Sequence, residues 1–179
     1  MLKKEEKLFD EIFLQFHSLL FSYGKKIIGD EYTTEECIQE LFLYIYQKEI
    51  DLANIKNIKA YLLTSFRRRV LLKKKILIKF EELSSIPSDM QFIQEDFLIT
   101  NNVQEERKRT LASMLNDLPW RQREAIYLKY FNGLTGKEVA KIMGIQPQVV
   151  ANMVYKALKK LKLSASRLLL FLLSVLLFS

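Results

Sequence analysis

The sequence predicts an all-α protein of two helical domains joined by an acidic linker, the second domain being a helix-turn-helix. Apolar residues recur at three- or four-residue steps, the pattern of helices with one buried face, and no segment sustains the alternation of a half-buried strand. Charge reverses abruptly in the middle of the chain. Glycine and proline then punctuate the second half at the spacing of a helix, a tight turn and a second helix. Together these place domains at 1–80 and 105–163, the linker at 81–104 and an apolar tail at 164–179.

Three helices are expected in the first domain. Leu8, Ile12, Phe16, Leu19, Tyr23 and Ile27 form one apolar stripe that closes at Gly29, a usual helix stop. Thr33, with Glu36 three residues on, has the pattern of a capping box and opens a helix whose inner face is Cys37, Ile38, Leu41, Phe42 and Ile45. Asn57 is placed to cap a third helix, with Ile58, Leu62, Phe66 and Val70 as its stripe.

From Arg67 to Lys79 there are seven basic residues and no acidic one, whereas Phe80 to Glu106 holds seven acidic residues and no basic one. Ser84, Ser85, Pro87, Ser88 and Asp89 are loop formers, so the acidic stretch reads as a linker.

In the second domain Asp117 is placed to cap a helix beginning near Pro119 and ending at Asn132 and Gly133. A second helix runs from about Thr135 to Met143, Gly144 makes the turn, and Pro147 sits in the first turn of a third. Ala140 is small where the helices cross, and Gly144 suits the positive backbone angle of a tight turn. Val139, Met143, Ile145, Val150 and Val154 are the expected wedge between them. On the third helix Val150, Val154, Ala157 and Leu161 share a face, which turns Gln148, Asn152, Tyr155 and Lys159 outward. Glutamine and asparagine pair bidentately with adenine, and Lys156, Lys159, Lys160 and Lys162 suit phosphates.

Composition narrows the function classes. The 179 residues are 49% hydrophobic, enough for real cores, and the net charge of +7 favours a polyanionic partner. A single cysteine and a single histidine exclude an intramolecular disulfide and the usual zinc sites, and no secretory signal opens the chain, which points to a reducing cytoplasm. Cys37 is expected to be a buried packing residue, and His17 a packing or surface residue. Glu35, Glu36 and Glu40 lie close in sequence without a histidine, metal partners or a glycine-rich phosphate loop, so no enzyme, cofactor or small-molecule substrate is expected.

Apart from its tail the chain resembles a bacterial sigma factor of the extracytoplasmic-function (ECF) type. Leu118, Pro119, Arg123, Glu124, Gly133, Leu134, Glu138, Val139, Ala140, Gly144 and Ile145 stand where the motif of the minus-35-reading domain expects them. In TTEECIQELFLYIY, Glu35, Glu36, Gln39, Glu40 and Phe42 match the core-polymerase-binding helix. The resemblance implies a subunit that directs RNA polymerase core to promoter DNA and helps to open it. Glu35, Glu36, Gln39, Glu40 and Leu43 would meet the core, its beta and beta-prime subunits being the expected partners. The stretch from Lys48 to Lys75 is similar in placement to the minus-10 element. There Asn54, Lys56, Asn57 and Tyr61 would receive unstacked bases, and Arg67, Arg68, Lys73, Lys74 and Lys75 would hold the strand, Tyr61 being equally a candidate core aromatic. The implied minus-35 set is Arg123, Lys137, Gln148, Asn152, Tyr155, Lys156, Lys159 and Lys160. By the same resemblance the acidic linker would thread the polymerase cleft.

The chain departs from the family pattern at Ala151 and Met153, where basic residues are common, and at Arg68 and Leu72, where asparagine and aspartate are common. The tail, LLLFLLSVLLFS, is too apolar for a solvated helix, and as a separate helix of about 18 Å (~1.5 Å per residue) it falls short of a bilayer core. Its cover is an anti-sigma factor or other recruiter docking on Leu168 to Phe178, the chain's own lobes, or a membrane surface. The expected location is the cytoplasm, nucleoid-associated, or the membrane where an anti-sigma partner holds the protein there. A stand-alone helix-turn-helix regulator is the alternative.

Overall fold

The computed structural model describes the backbone of residues 2–79, 90, 92 and 105–177, and the side chains of 7–79, 90, 92 and 108–164. Regular structure among these residues is helical throughout: α1 (Leu2–Ile28), α2 (Glu31–Gln47), a 3-10 turn (Leu52–Asn54), α3 (Ile58–Lys79), α4 (Glu105–Asn116), α5 (Trp120–Ile126), α6 (Gly136–Met143) and α7 (Pro147–Leu177). The chain divides into two compact units at Met90 and Gln91, with α1 to α3 in the first and α4, α5, α7 and most of α6 in the second. The expected linker, 81–104, lies outside the described residues except for Met90 and Phe92.

In the first unit the three helices pack pairwise. Leu20, Tyr23, Ile28, Cys37, Ile38, Leu41, Leu62, Phe66 and Val70 have no exposed surface. Each helix therefore presents its apolar stripe inward, although on α1 Leu20 takes the deepest place while Leu8, Phe16 and Leu19 are half-buried. Phe9 and Phe13 of α1 meet Phe42 of α2 edge-on at 5.6 and 4.9 Å, the arrangement favoured by ring quadrupoles. Gly24 lets the backbones approach closely, because a Cβ there would stand 2.6 Å from Thr34 Cγ2 and 2.8 Å from the Phe66 ring.

The start of α2 differs from expectation. Asp30 is its cap, accepting the Thr33 amide at 2.6 Å, and its bonds to Thr33 lower its pKa. Thr33 is already buried inside the first turn, and Glu36 turns to α3 instead of closing a capping box. A carboxylate three residues earlier satisfies the orphan amides first, so the helix opens there. At α3 the cap is Asn57, whose Oδ1 accepts the Ala60 amide at 2.9 Å.

In the second unit α5 packs on α7, and α4 on both. Asp117 does not cap α5: Pro119 holds that position with no side-chain hydrogen bond, and the Asp117 carbonyl accepts Lys160 Nζ instead. The helix then widens into a π turn, Tyr127–Phe131, in which the Asn132 amide bonds to the Tyr127 carbonyl at 3.1 Å. Asn132 Nδ2 reaches the same carbonyl, and Gly133 at φ 66° ends the run.

The third helix of the helix-turn-helix and the apolar tail are one element. α7 extends unbroken for 31 residues across the expected boundary at 163/164, about 46 Å at ~1.5 Å per residue. No glycine or proline follows Pro147, so nothing local stops it. The side chains of 165–177, with residues 178 and 179, lie outside the described residues, so the docking expected at Leu168 to Phe178 falls there. Among the described residues no helix is long and apolar enough to cross a membrane.

Candidate functional site

Local chemistry builds the helix-turn-helix. Thr135 and Glu138 form a reciprocal capping box at α6: the Thr135 amide and hydroxyl donate to Glu138 Oε2, each at 2.7 Å, and the Glu138 amide donates to Thr135 Oγ1 at 3.3 Å. At its other end Gly144 has φ 67°, and the Ile145 amide bonds back to the Ala140 carbonyl at 3.0 Å, a Schellman closure that only a left-handed residue permits. Val139, Ala140, Met143, Val150 and Val154 are buried as a wedge requires, with Ile145 half-buried.

More than three turns of α7 are thereby presented outward. Gln148, Asn152, Tyr155, Lys156, Lys159 and Lys160 are exposed, as is Lys137 on α6. Gln148 Nε2 donates to Asn152 Oδ1 at 3.2 Å, so the two amides, one helical turn apart, form a joined edge with donors and acceptors still to offer. Arg123 does not belong to this surface. It is 5% exposed within α5, and burial of its guanidinium makes it a packing residue of the unit, not a phosphate ligand.

On the first unit α2 turns Gln39, Glu40 and Leu43 to solvent, with Leu43 55% exposed. Glu35 and Glu36 flank this face but are engaged. Glu35 takes His17 Nε2 at 3.0 Å, and Glu36 takes Lys73 Nζ at 2.8 Å, a bond that raises the Lys73 pKa. The acidic face of α2 and the basic face of α3 are therefore one surface. Arg69 belongs to it as well, its guanidinium 4.7 Å from the centre of the Tyr44 ring. Neither the Arg69–Tyr44 contact nor the His17–Glu35 bond has a local sequence signature: His17 and Glu35 are 18 residues apart.

The expected minus-10 residues divide into three groups. Asn54, Lys56, Asn57, Arg68 and Lys75 are exposed and Tyr61 is half-buried. Asn54 is held by Asp51 Oδ2 at 2.6 Å, which stiffens the loop before α3. Lys73 is paired with Glu36. Arg67 and Lys74 are buried, and Lys74 donates to the Ile27 carbonyl at the end of α1 at 2.5 Å. The strand-holding role expected of these two is therefore corrected: both cations are enclosed, and Lys74 is in addition engaged at the C-terminus of α1, so neither is presented to a phosphate.

Cys37 has no exposed surface, and burial pushes its thiol up to about 11, so it is a protonated packing residue and not a nucleophile. Among the described residues no group of histidine, cysteine or carboxylates could hold a metal ion.

Residues 108–161 match the family described as Sigma-70, region 4. Over 165 residues, covering 88% of this chain and 83% of the relative, the protein is 22% identical to the ECF RNA polymerase sigma factor SigX of Bacillus subtilis (strain 168). The sigma factor RpoE from Bartonella quintana, solved in complex with the anti-sigma factor NepR, has a TM-score of 0.63 at 20% identity, over 89% of this chain and 98% of that one. CnrH, solved in complex with the cytosolic domain of CnrY, has a TM-score of 0.55 at 19% identity over 90% of each chain. Those two likenesses concern the fold, in which the helix-turn-helix built by Thr135, Glu138 and Gly144 coincides with the region 4 match. Residues 108–161 thus carry a match to Sigma-70 region 4, and along most of its length the chain is similar to a sigma factor of the extracytoplasmic-function type.

Proposed function

We propose that this protein directs RNA polymerase core to promoters and assists DNA opening, without catalytic chemistry of its own. The observation that carries the reading is the exposed Gln148–Asn152 edge at the start of α7, inside a helix-turn-helix that matches region 4. In this reading those amides select the minus-35 sequence, while Lys137, Lys156 and Lys159 supply sequence-independent affinity. Gln39, Glu40 and Leu43, with the paired Glu35 and Glu36, form the face for core polymerase. Asn54, Lys56, Asn57 and Tyr61 receive the melted minus-10 strand beside Arg68 and Lys75. The apolar tail is the docking segment for an anti-sigma or recruiting protein, in keeping with a structural relative held by its own anti-sigma factor.

The test is transcription from promoter fragments with purified core polymerase and this protein alone, together with permanganate mapping of unpaired thymines. Initiation and melting that depend on both components are expected. Duplex binding with no association to core would refute the reading in favour of a stand-alone helix-turn-helix regulator.

A further inference from the structure

One residue of the acidic stretch is seated firmly in the second unit. Phe92 is 2% exposed. Its ring stands 5.1 Å from Phe131 and 6.0 Å from Tyr127, both on the π turn that ends α5. From the end of α4 the Asn116 side chain grips the backbone of the same residue: Oδ1 accepts the Phe92 amide at 2.8 Å and Nδ2 donates to its carbonyl at 3.0 Å. This two-pronged bond satisfies the donor and acceptor that a buried residue outside regular structure would otherwise leave orphaned. The π turn contributes as well, because its widened spacing leaves Tyr127 and Phe131 stacked at 5.8 Å as the aromatic seat. Phe92 is held as a ligand is held, by both ring and backbone.

We propose that Phe92 is the anchor that sets the working length of the connection between the two DNA-contacting units, and through it the promoter spacings the protein accepts. The proposal rests on the functional reading above. From Lys79, the end of α3, an extended chain reaches Phe92 in at most about 45 Å, whereas reaching Glu105, the start of α4, would allow about 90 Å at ~3.4 Å per residue. With Phe92 seated, the number of residues between it and Glu105 does not enter the reach. Effective concentration falls roughly as the −3/2 power of tether length, so the anchor raises the concentration of each unit at its site by roughly threefold. It also narrows the tolerated spacing.

The experiment places a twelve-residue Gly-Ser insert either after Ser85 or after Ile99 in the full chain. Initiation with core polymerase is then measured on templates whose minus-35 to minus-10 spacing varies. The insert after Ser85 is expected to lower initiation at the best spacing by about 2.5- to 3-fold and to flatten the spacing profile. The insert after Ile99 is expected to leave both unchanged. In Phe92→Ala both inserts act, and Asn116→Ala behaves in the same way, which provides a second route if the first variant loses helix content. Equal effects of the two inserts in the parent chain, or a parent-like response in both variants, overturn the anchor alone. Failure of the parent to initiate on any template overturns the functional reading, and the proposal with it.

Discussion

Replacing Lys74 with methionine should unfold the first unit more readily without changing how the protein binds DNA, and replacing its neighbour Lys75 with alanine should do the reverse. Lys74 Nζ donates to the Ile27 carbonyl at 2.5 Å within a site only 8% exposed. A hydrogen bond from a charged donor contributes about 1.5–3 kcal/mol, and a cation at a helix C-terminus adds about 0.3–1 kcal/mol. Methionine keeps the apolar stem, so the expected loss is the polar part, about 2 kcal/mol. With a urea m-value of about 2 kcal/mol/M, the unfolding midpoint should fall by about 1 M. Lys75 is exposed, and its alanine variant should leave that midpoint in place. Its effect should appear in the dependence of promoter-strand affinity on salt, where one lost phosphate contact reduces the slope by about 0.7 for a single strand. An unchanged midpoint in Lys74→Met together with a reduced salt slope would refute the reasoning, since it would mean that Lys74 faces the nucleic acid.

Reversing Glu36 to lysine or Lys73 to glutamate should each weaken assembly with core polymerase, and the double exchange should restore part of it. The pair is partly exposed, at 40% and 27%, so its own contribution to stability is at most about 1 kcal/mol; a core-affinity titration of all four proteins reads the coupling. Asn152→Ala should redistribute preference among minus-35 sequences by about 1–3 kcal/mol, whereas Lys156→Ala should weaken all duplexes alike and lower the salt slope by about 0.9. Competition binding with randomised duplexes at several salt concentrations separates the two. Cys37 should resist iodoacetamide at pH 8 until the chain is unfolded, because its thiol ionises near 11 in the folded state. The same shift means that the unfolded chain releases the proton first, so stability should decline as pH rises above about 9, read by urea midpoints from pH 8 to 10.5.

Much of this protein is written locally in its sequence. Apolar residues at 3.6-residue spacing specify the helices of both units, and Gly29, Gly133 and Gly144 mark their ends because each takes a positive φ of 83°, 66° and 67°. The outward set on α7, Gln148, Asn152, Tyr155 and Lys159, follows from that same periodicity once Val150 and Val154 are known to be inside. Local competition already blurs the edges: Asp30 displaced Thr33 as a cap, and α7 continued past residue 163 because nothing in its sequence ends a helix.

Only the tertiary structure decided which charges are free to act. Arg67, Lys74 and Arg123 look the same in sequence as Arg68, Lys75 and Lys137, yet the first three are enclosed and the others exposed. The pairings of Glu36 with Lys73 and His17 with Glu35, like the seat that Asn116, Tyr127 and Phe131 make for Phe92, join residues far apart in the chain. Helical periodicity states which face a residue occupies on its own helix. Whether that face meets water, a neighbouring helix or the end of another helix's hydrogen-bond ladder depends on how the helices cross, and that is settled by packing between elements distant in sequence.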